Sequence, residues 1–293
     1  MFASFNSIKE TMPNCTFCGS PTTKIFHIAK GEPKLDVLKC TKCSLVQVND
    51  FAHANVEYYE AEEYFDNDFA AERERQSLWN QRRAHKLEEY FGDLSAITAL
   101  DFGCGQGGFL EIMEGRFKAH YGFDVSQKVC GMNAKKGWTC FSDLDEIPRP
   151  VDVITFFHVL EHIPNAWDFV ANIAGQFPET RYFVFEVPHT GEALMGEFNA
   201  PTYIVNHYSP FHVYYYDNKT LGNLADRAGL KVVSDDQLQR YPLGNHLGWI
   251  SNGKGGGQNI WTEFNDPEFH SAYAARLEKR RVADSVFLIC ERK

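Results

Sequence analysis

Two groups of residues in this chain carry chemistry by their type and spacing: a glycine run flanked by acids, and two close pairs of cysteines. The run Ala99-Leu-Asp-Phe-Gly-Cys-Gly-Gln-Gly-Gly-Phe109 sets Gly103, Gly105, Gly107 and Gly108 directly after an apolar stretch that reads as a strand. Glycines there permit a tight turn and let a ligand approach the backbone at the carboxyl edge of a sheet. Asp124 closes the next apolar stretch, where a carboxylate can accept both hydroxyls of a ribose. Gly103, Gly105 and Gly108 also satisfy the dinucleotide pattern G-x-G-x-x-G, so the glycines alone fit two cofactors. The acids separate them. Asp101 sits just before the glycines, poorly placed beside a pyrophosphate but well placed for the ammonium of a methionine moiety. Asp143 follows the third strand, where the amino group of adenine needs an acceptor. The set points to S-adenosylmethionine, with an NAD-dependent oxidoreductase as an alternative.

Cys15-Thr-Phe-Cys18 and Cys40-Thr-Lys-Cys43 are two C-x-x-C pairs with 21 residues between them. Four thiolates at this spacing suit a tetrahedral structural zinc, closed to substrate because no coordination position stays open. The intervening residues read as a β-hairpin, so the module is expected to be a zinc ribbon. The other cysteines (Cys104, Cys130, Cys140 and Cys290) read as small core or loop residues.

Elements of alternating type must position these groups. Runs at Lys24–Ile28 and Leu45–Val48 are of β type, and residues 51–66 read as a connector. From Asp68 to Tyr90 the composition is helical, with Leu78, Trp79, Leu87 and Tyr90 as its apolar stripe. Strands are then expected at Ile97–Phe102, His120–Val125, Trp138–Phe141, Val151–Val159 and Arg181–Val187. Helices are expected at Phe109–Arg116 and Ala166–Phe177. An irregular aromatic stretch (190–216) precedes a helix at Lys219–Ala228, a strand at Leu230–Val233, a charged helix at Glu268–Arg281 and a strand at Val286–Cys290. Such alternation predicts an α/β fold with a parallel sheet covered on both faces.

The runs Leu100–Gly107, Gly122-Phe-Asp-Val-Ser126 and His158-Val-Leu-Glu-His162 resemble those of class I S-adenosylmethionine-dependent methyltransferases, from about Leu87 onward. The resemblance implies a Rossmann-like, seven-stranded domain over residues 61–293, behind a zinc module and connector over residues 1–60. It implies that Asp101, Gly103, Gly105 and Gly107 face the methionine part. Asp124, with Val125 beside it, would hold the ribose, and Asp143 and Leu144 would cradle adenine. Phe157 and His158 would line the far side of the cofactor. The zinc module ahead of this domain is similar to the arrangement in deoxysugar C-methyltransferases and related enzymes that methylate sugars of surface polysaccharides. Those enzymes carry a further C-terminal domain, whereas here the sequence ends soon after the last strand, so O- and C-methylation both stay open.

For the acceptor, Glu161 and His162 follow the fourth strand, where an imidazole with an adjacent carboxylate can act as general base. The aromatic stretch contributes His207, Tyr208, His212 and Tyr214, types that stack on a sugar ring and bond its hydroxyls. His212 stands with Glu161 and His162 as a catalytic candidate; His207, Tyr208 and Tyr214 are candidates for substrate binding. Lys254, in Gly253-Lys-Gly-Gly-Gly257, could hold a phosphate with the help of backbone amides. The acceptor reading is therefore a small molecule or glycan, such as a nucleotide-linked sugar. A formal charge of −10 argues against broad nucleic-acid binding, and an RNA methyltransferase is the alternative acceptor class. No apolar run reaches the ~20 residues of a membrane span. The polar start, Met1–Pro13, lacks the core of a signal peptide, so the expected location is cytoplasmic.

Overall fold

Short strands and a doubly wound sheet account for most of the chain. The structure, a computed structural model, describes residues 12–29, 31–54, 69–264 and 266–293, with side chains in the first helix from residue 77 onward. The polar start through residue 11, most of the connector and the boundary at residue 60 lie outside the described residues. Strands β1 (Thr22–Ile28) and β2 (Leu35–Cys40) form the expected antiparallel hairpin, and β3 (Val46–Val48) pairs on β2. Helix α1 (Phe69–Phe91) leads into β4 (Thr98–Phe102), α2 (Gly108–Ile112), β5 (Ala119–Phe123), α3 (Gln127–Lys135) and β6 (Cys140–Phe141). Then come β7 (Val153–Phe157), α4 (Ala166–Gln176), β8 (Tyr182–Pro188), α5 (Pro201–His207), β9 (Tyr214–Tyr215) and α6 (Asn218–Arg227). The chain ends with β10 (Leu230–Leu238), α7 (Leu243–Asn252), α8 (Pro267–Lys279) and β11 (Ser285–Arg292).

Seven strands lie in the order β10-β11-β8-β7-β4-β5-β6, parallel from β8 to β6, with β11 antiparallel to both its neighbours. The chain winds outward from β4 in both directions, so the carboxyl ends of β4 and β7 flank the switch point where such sheets bind ligands. Among the described residues, no helix is long and apolar enough to cross a membrane.

The N-terminal strands do not form a sheet by themselves. Their fourth strand is β9, which pairs with β3 through Val46 and Tyr215. One apolar core runs through both sheets, from Val37 and Val48 to Phe102, Phe156 and Trp167. Phe17, between the first pair of cysteines, meets Trp167 of α4 edge-on at 5.1 Å, a contact worth about 0.5–1.5 kcal/mol beyond its area.

One local expectation, the apolar stripe of the first helix, gives way to packing. The buried face of α1 runs through Asn80, Arg83, Ala84 and Leu87, while Leu78 and Tyr90 are exposed. Arg83 turns inward because Glu186, in the middle of the apolar strand β8, needs a cation: its Nε donates to Oε2 at 2.5 Å. After Arg240, α7 occupies Leu243–Asn252. A side chain at Gly257 would fall 2.0 Å from the Gly244 carbonyl and 2.7 Å from the Gly248 Cα, so glycines here allow backbones to touch.

His120 of β5 lies between Phe109 and Phe117, and neither ring nitrogen has a hydrogen-bond partner. Burial lowers it from 6.5 to about 3. The folded state therefore holds it neutral while the unfolded chain protonates it below 6.5. Its contribution is complete above pH 6.5 and is lost as pH falls toward 3. His120→Phe should raise stability by about 1–3 kcal/mol through removal of the unpaired nitrogens. Urea denaturation at pH 7.5 and pH 5 should show a smaller gap between the two pH values in the variant than in the parent.

Candidate functional site

The glycine loop is tied to its surroundings by side chains from three strands. Gly103 has φ +74°, and a Cβ there would meet Val159 Cγ2 at 2.7 Å, so the loop lies directly against the chain leaving β7. Asp124 accepts the Gly105 N–H on one oxygen (3.1 Å) and the Ser126 N–H on the other (3.0 Å). Burial pushes its carboxyl above the usual range. Asp101, buried at the end of β4, is pushed up to about 7 by burial, against the Thr155 hydroxyl that donates to it at 2.7 Å. Two acids kept short of cations beside a glycine loop suit a ligand that brings its own positive charge, as a methionine ammonium does. Asp143 is exposed, caps the turn Leu144–Glu146 by accepting the Asp145 N–H, and leaves Leu144 half-buried beside it. Val125 is exposed next to Asp124. Phe157 points instead into the core, against Phe109 and Phe287 and under the Arg83 guanidinium.

Cys104, Cys130 and Cys140, read from sequence as small core or loop residues, come together at this loop, with Sγ distances of 3.5 Å (104–140) and 2.6 Å (130–140). They lie on three different elements, so spacing along the chain held no sign of it.

Past Val159 opens a cavity of about 450 Å³. Five of the sequence candidates line it: His158, Glu161, His162, His207 and His212. Tyr203, Arg240, Tyr241, Asn245, Trp249, Gly255 and Gly256 complete much of the wall. His158 leaves β7 with φ +57°, its N–H held by the Glu186 carbonyl at 2.8 Å. Its Nδ1 meets Glu161 at 3.0 Å, while Nε2 lies 3.1 Å from Glu186 and accepts from Arg240 at 2.9 Å. Glu161 is buried; against the desolvation that raises it, the imidazoles of His158, His162 and His212 hold it down to about 2. Burial, then the neighbouring His162, lowers His212 to about 3, and burial lowers His207 to about 4. At physiological pH the cluster therefore pairs a carboxylate with a neutral His212.

Three substrate candidates lie elsewhere. Tyr208 packs against Phe26 and Tyr215 behind the cavity. Tyr214, in β9, bonds Thr16 and the Asn165 N–H through its hydroxyl and packs on Trp167. Lys254 is exposed, outside the lining that its neighbours Gly255 and Gly256 reach. Arg83, Glu186 and Glu192 were not read from sequence as site residues. An acid inside the apolar run Tyr182–Pro188, and an arginine on the inner face of a helix, were the available signals. Glu192 is buried, and burial pushes it up to about 7, against a hydrogen bond to Tyr203 on the cavity wall.

At the N-terminal sheet, the four cysteine sulfurs lie within 4.8 Å of one another, with 3.6 Å between Cys15 and Cys43 and 3.4 Å between Cys18 and Cys40. A tetrahedral zinc with bonds of about 2.3 Å spaces its sulfurs about 3.8 Å apart, so the set fits the ion. The N–H groups of Lys42 and Cys43 both donate to Cys40 Sγ at 3.4 Å, which steadies a thiolate.

The family model described as "Methyltransferase domain" matches residues 67–235, more than half of the chain. The chain belongs to this methyltransferase family, its seven-stranded domain being of the class I, S-adenosylmethionine-dependent type. It is similar to the ubiquinone biosynthesis O-methyltransferase of Nitrosomonas europaea, 31% identical over 97 residues, which cover 29% of this chain and 41% of that one. The chain thus matches about two fifths of that relative's length. Solved structures similar in fold include magnesium protoporphyrin IX methyltransferase from Synechocystis PCC 6803 with bound SAH (14% identity, TM-score 0.49, covering 81% of this chain and 97% of that one). Another is a SAM-dependent methyltransferase from Archaeoglobus fulgidus (16% identity, TM-score 0.47, covering 73% and 94%).

Proposed function

We propose that the protein methylates a hydroxyl of a small, hydroxyl-rich acceptor of the sugar class, held in the cavity beyond Val159. The observation that carries this reading is the cavity itself. It opens at the switch point, next to the glycine loop, and is walled by imidazoles, Arg240 and the rings of Tyr203 and Trp249. Such a wall can stack on a sugar face and bond several hydroxyls.

S-adenosylmethionine, when bound, supplies an electrophilic methyl group at its sulfonium. The residues of this chain provide alignment and a place for the acceptor's proton. Asp101 and the glycines at 103, 105 and 107 face the methionine end, and Asp124 with Val125 the ribose. Asp143 and Leu144 receive adenine. Phe157 acts from the core, under the Arg83 guanidinium that pairs with Glu186, and His158, held by Glu186 and Arg240, fixes Glu161. Glu161, His162 and His212 form the reacting face, and His207 with Arg240 bonds the acceptor's other hydroxyls. Tyr208 and Tyr214 support the wall from behind, and Lys254 at the rim is placed for a phosphate entering from outside.

The cysteine set belongs to the same reading as a structural zinc centre. The Val48 N–H donates to the Val213 carbonyl, and the Val213 N–H donates to the Glu161 carbonyl (3.1 and 2.8 Å). The sheet that would carry the metal thereby holds the segment that bears His212 and Glu161. Methyl transfer to oxygen is favoured over carbon by the similarity to an O-methyltransferase. The overall acidity disfavours an RNA acceptor.

The test is mass spectrometry of products after incubation with S-adenosylmethionine and a panel of nucleotide-linked sugars. A gain of one methyl on a sugar hydroxyl is expected. Methylation only of added RNA, or on a sugar carbon, would overturn the acceptor or the atom assigned here.

A further inference from the structure

From the convergence of Glu161, His162 and His212 at the cavity wall, we infer a second metal site, one that takes a divalent cation of the Mn²⁺ or Fe²⁺ kind. One ligand atom from each residue lies within 4.8 Å of the others. In a shell with bonds of about 2.0–2.2 Å, neighbouring ligands sit about 3–3.5 Å apart, a closure that side-chain torsions supply. The set is a carboxylate and two imidazoles, a mixed oxygen and nitrogen donor group that holds such cations with positions left open.

Three independent details favour a cation here. The His162 Nδ1–H donates to the Phe211 carbonyl at 2.8 Å, which fixes the proton on that nitrogen and turns the Nε2 lone pair toward Glu161, 4.0 Å away. A backbone carbonyl behind the ring is the usual support of a metal-bound histidine. Glu161 is 1% exposed, yet its Oε2 has no hydrogen-bond partner, and neither does Nδ1 of His212. Finally, two nearby buried acids already have guanidinium partners, Glu186 with Arg83 and Asp284 with Arg240. Glu161 has only imidazoles, and no lysine or arginine among the described residues pairs with it.

Three protein ligands leave about three positions of an octahedron facing the cavity, enough for adjacent hydroxyls of one acceptor. This role rests on the acceptor reading above; cation binding does not. With the cation bound, Glu161, His162 and His212 act as ligands rather than as bases: a hydroxyl on the cation ionises more readily and its proton passes to water. Its oxygen then forms the O–CH₃ bond as the S–CH₃ bond breaks, and S-adenosylhomocysteine leaves.

The test titrates the full chain, zinc retained, with Mn²⁺ and reads the free-ion signal by electron paramagnetic resonance. One Mn²⁺ per chain is expected, since the hard ion does not compete for four thiolates. His212→Ala and Glu161→Gln should each weaken Mn²⁺ binding about tenfold or more, with S-adenosylmethionine affinity unchanged as proof of fold. Asp124→Ala should lose the cofactor and keep the Mn²⁺. No bound Mn²⁺ at millimolar metal, or equal binding by parent and both variants, overturns the proposal. Full sugar methylation by the zinc-loaded chain in buffer freed of other metals removes the cation and leaves the acceptor reading standing. Mn²⁺ bound through His212, with no sugar methylated, upholds the cation and removes the acceptor reading.

Discussion

Cys40→Ser should abolish zinc binding at the cysteine set and, with it, much of the order at the cavity beyond Val159. Metal analysis of the parent is expected to give about one zinc per chain, and the variant close to none. Structural zinc contributes on the order of 10–16 kcal/mol in small fingers that have little else to hold them. Here the cysteine module also shares a core with the methyltransferase sheet, through Phe17 on Trp167 and through β3 on β9. That packing retains part of the fold, so the expected loss is a few kcal/mol, or a melting temperature lower by about 5–10 °C. The effect on function should be uneven. Val48 bonds Val213, and Val213 bonds Glu161, so the cavity face loosens first. The glycine loop hangs on β4 and β5, at the far side of that chain of bonds. Methyl transfer should therefore fall at least tenfold while cofactor affinity changes little. A metal-free parent with intact fold and activity would show that the cysteines hold nothing.

Asp124→Ala should abolish measurable cofactor binding. A carboxylate that accepts two ribose hydroxyls contributes about 1.5–3 kcal/mol per hydrogen bond, so its loss costs a hundredfold or more in affinity. The side chain also accepts the Gly105 and Ser126 N–H groups, and its removal frees the loop that must wrap the cofactor. Asp124→Asn keeps one acceptor oxygen and should retain the loop with intermediate affinity. Circular dichroism should show both variants folded. Unchanged affinity in Asp124→Ala would mean that the ribose lies elsewhere.

The sheet was legible because its strands are short apolar runs that end at acids or glycines. Asp101, Asp124 and the run after Val151 mark three carboxyl ends that the topology brings to one edge. Metal ligand spacing likewise brought four cysteines together on a hairpin. The cavity was legible only in part. His158, Glu161 and His162 adjoin a strand end, so their place followed from the sheet. The aromatic stretch offered no such frame: His212 precedes β9 in an irregular turn and faces the cavity, while Tyr214, inside β9, packs on Trp167 in the core. Arg83 and Glu186 are 103 residues apart and meet only because α1 lies across β8. No element was legible in the stretch before Lys254, where α7 lies, because glycines that break helices in isolation are here the contact points of two backbones.

The most direct measurement is calorimetric titration of the purified chain with S-adenosylhomocysteine and, separately, with NAD. One S-adenosylhomocysteine per chain, with no heat from NAD, is the predicted result. Saturable binding of NAD with none of S-adenosylhomocysteine would contradict the placement of a methionine moiety beside Asp101 and with it the assigned chemistry.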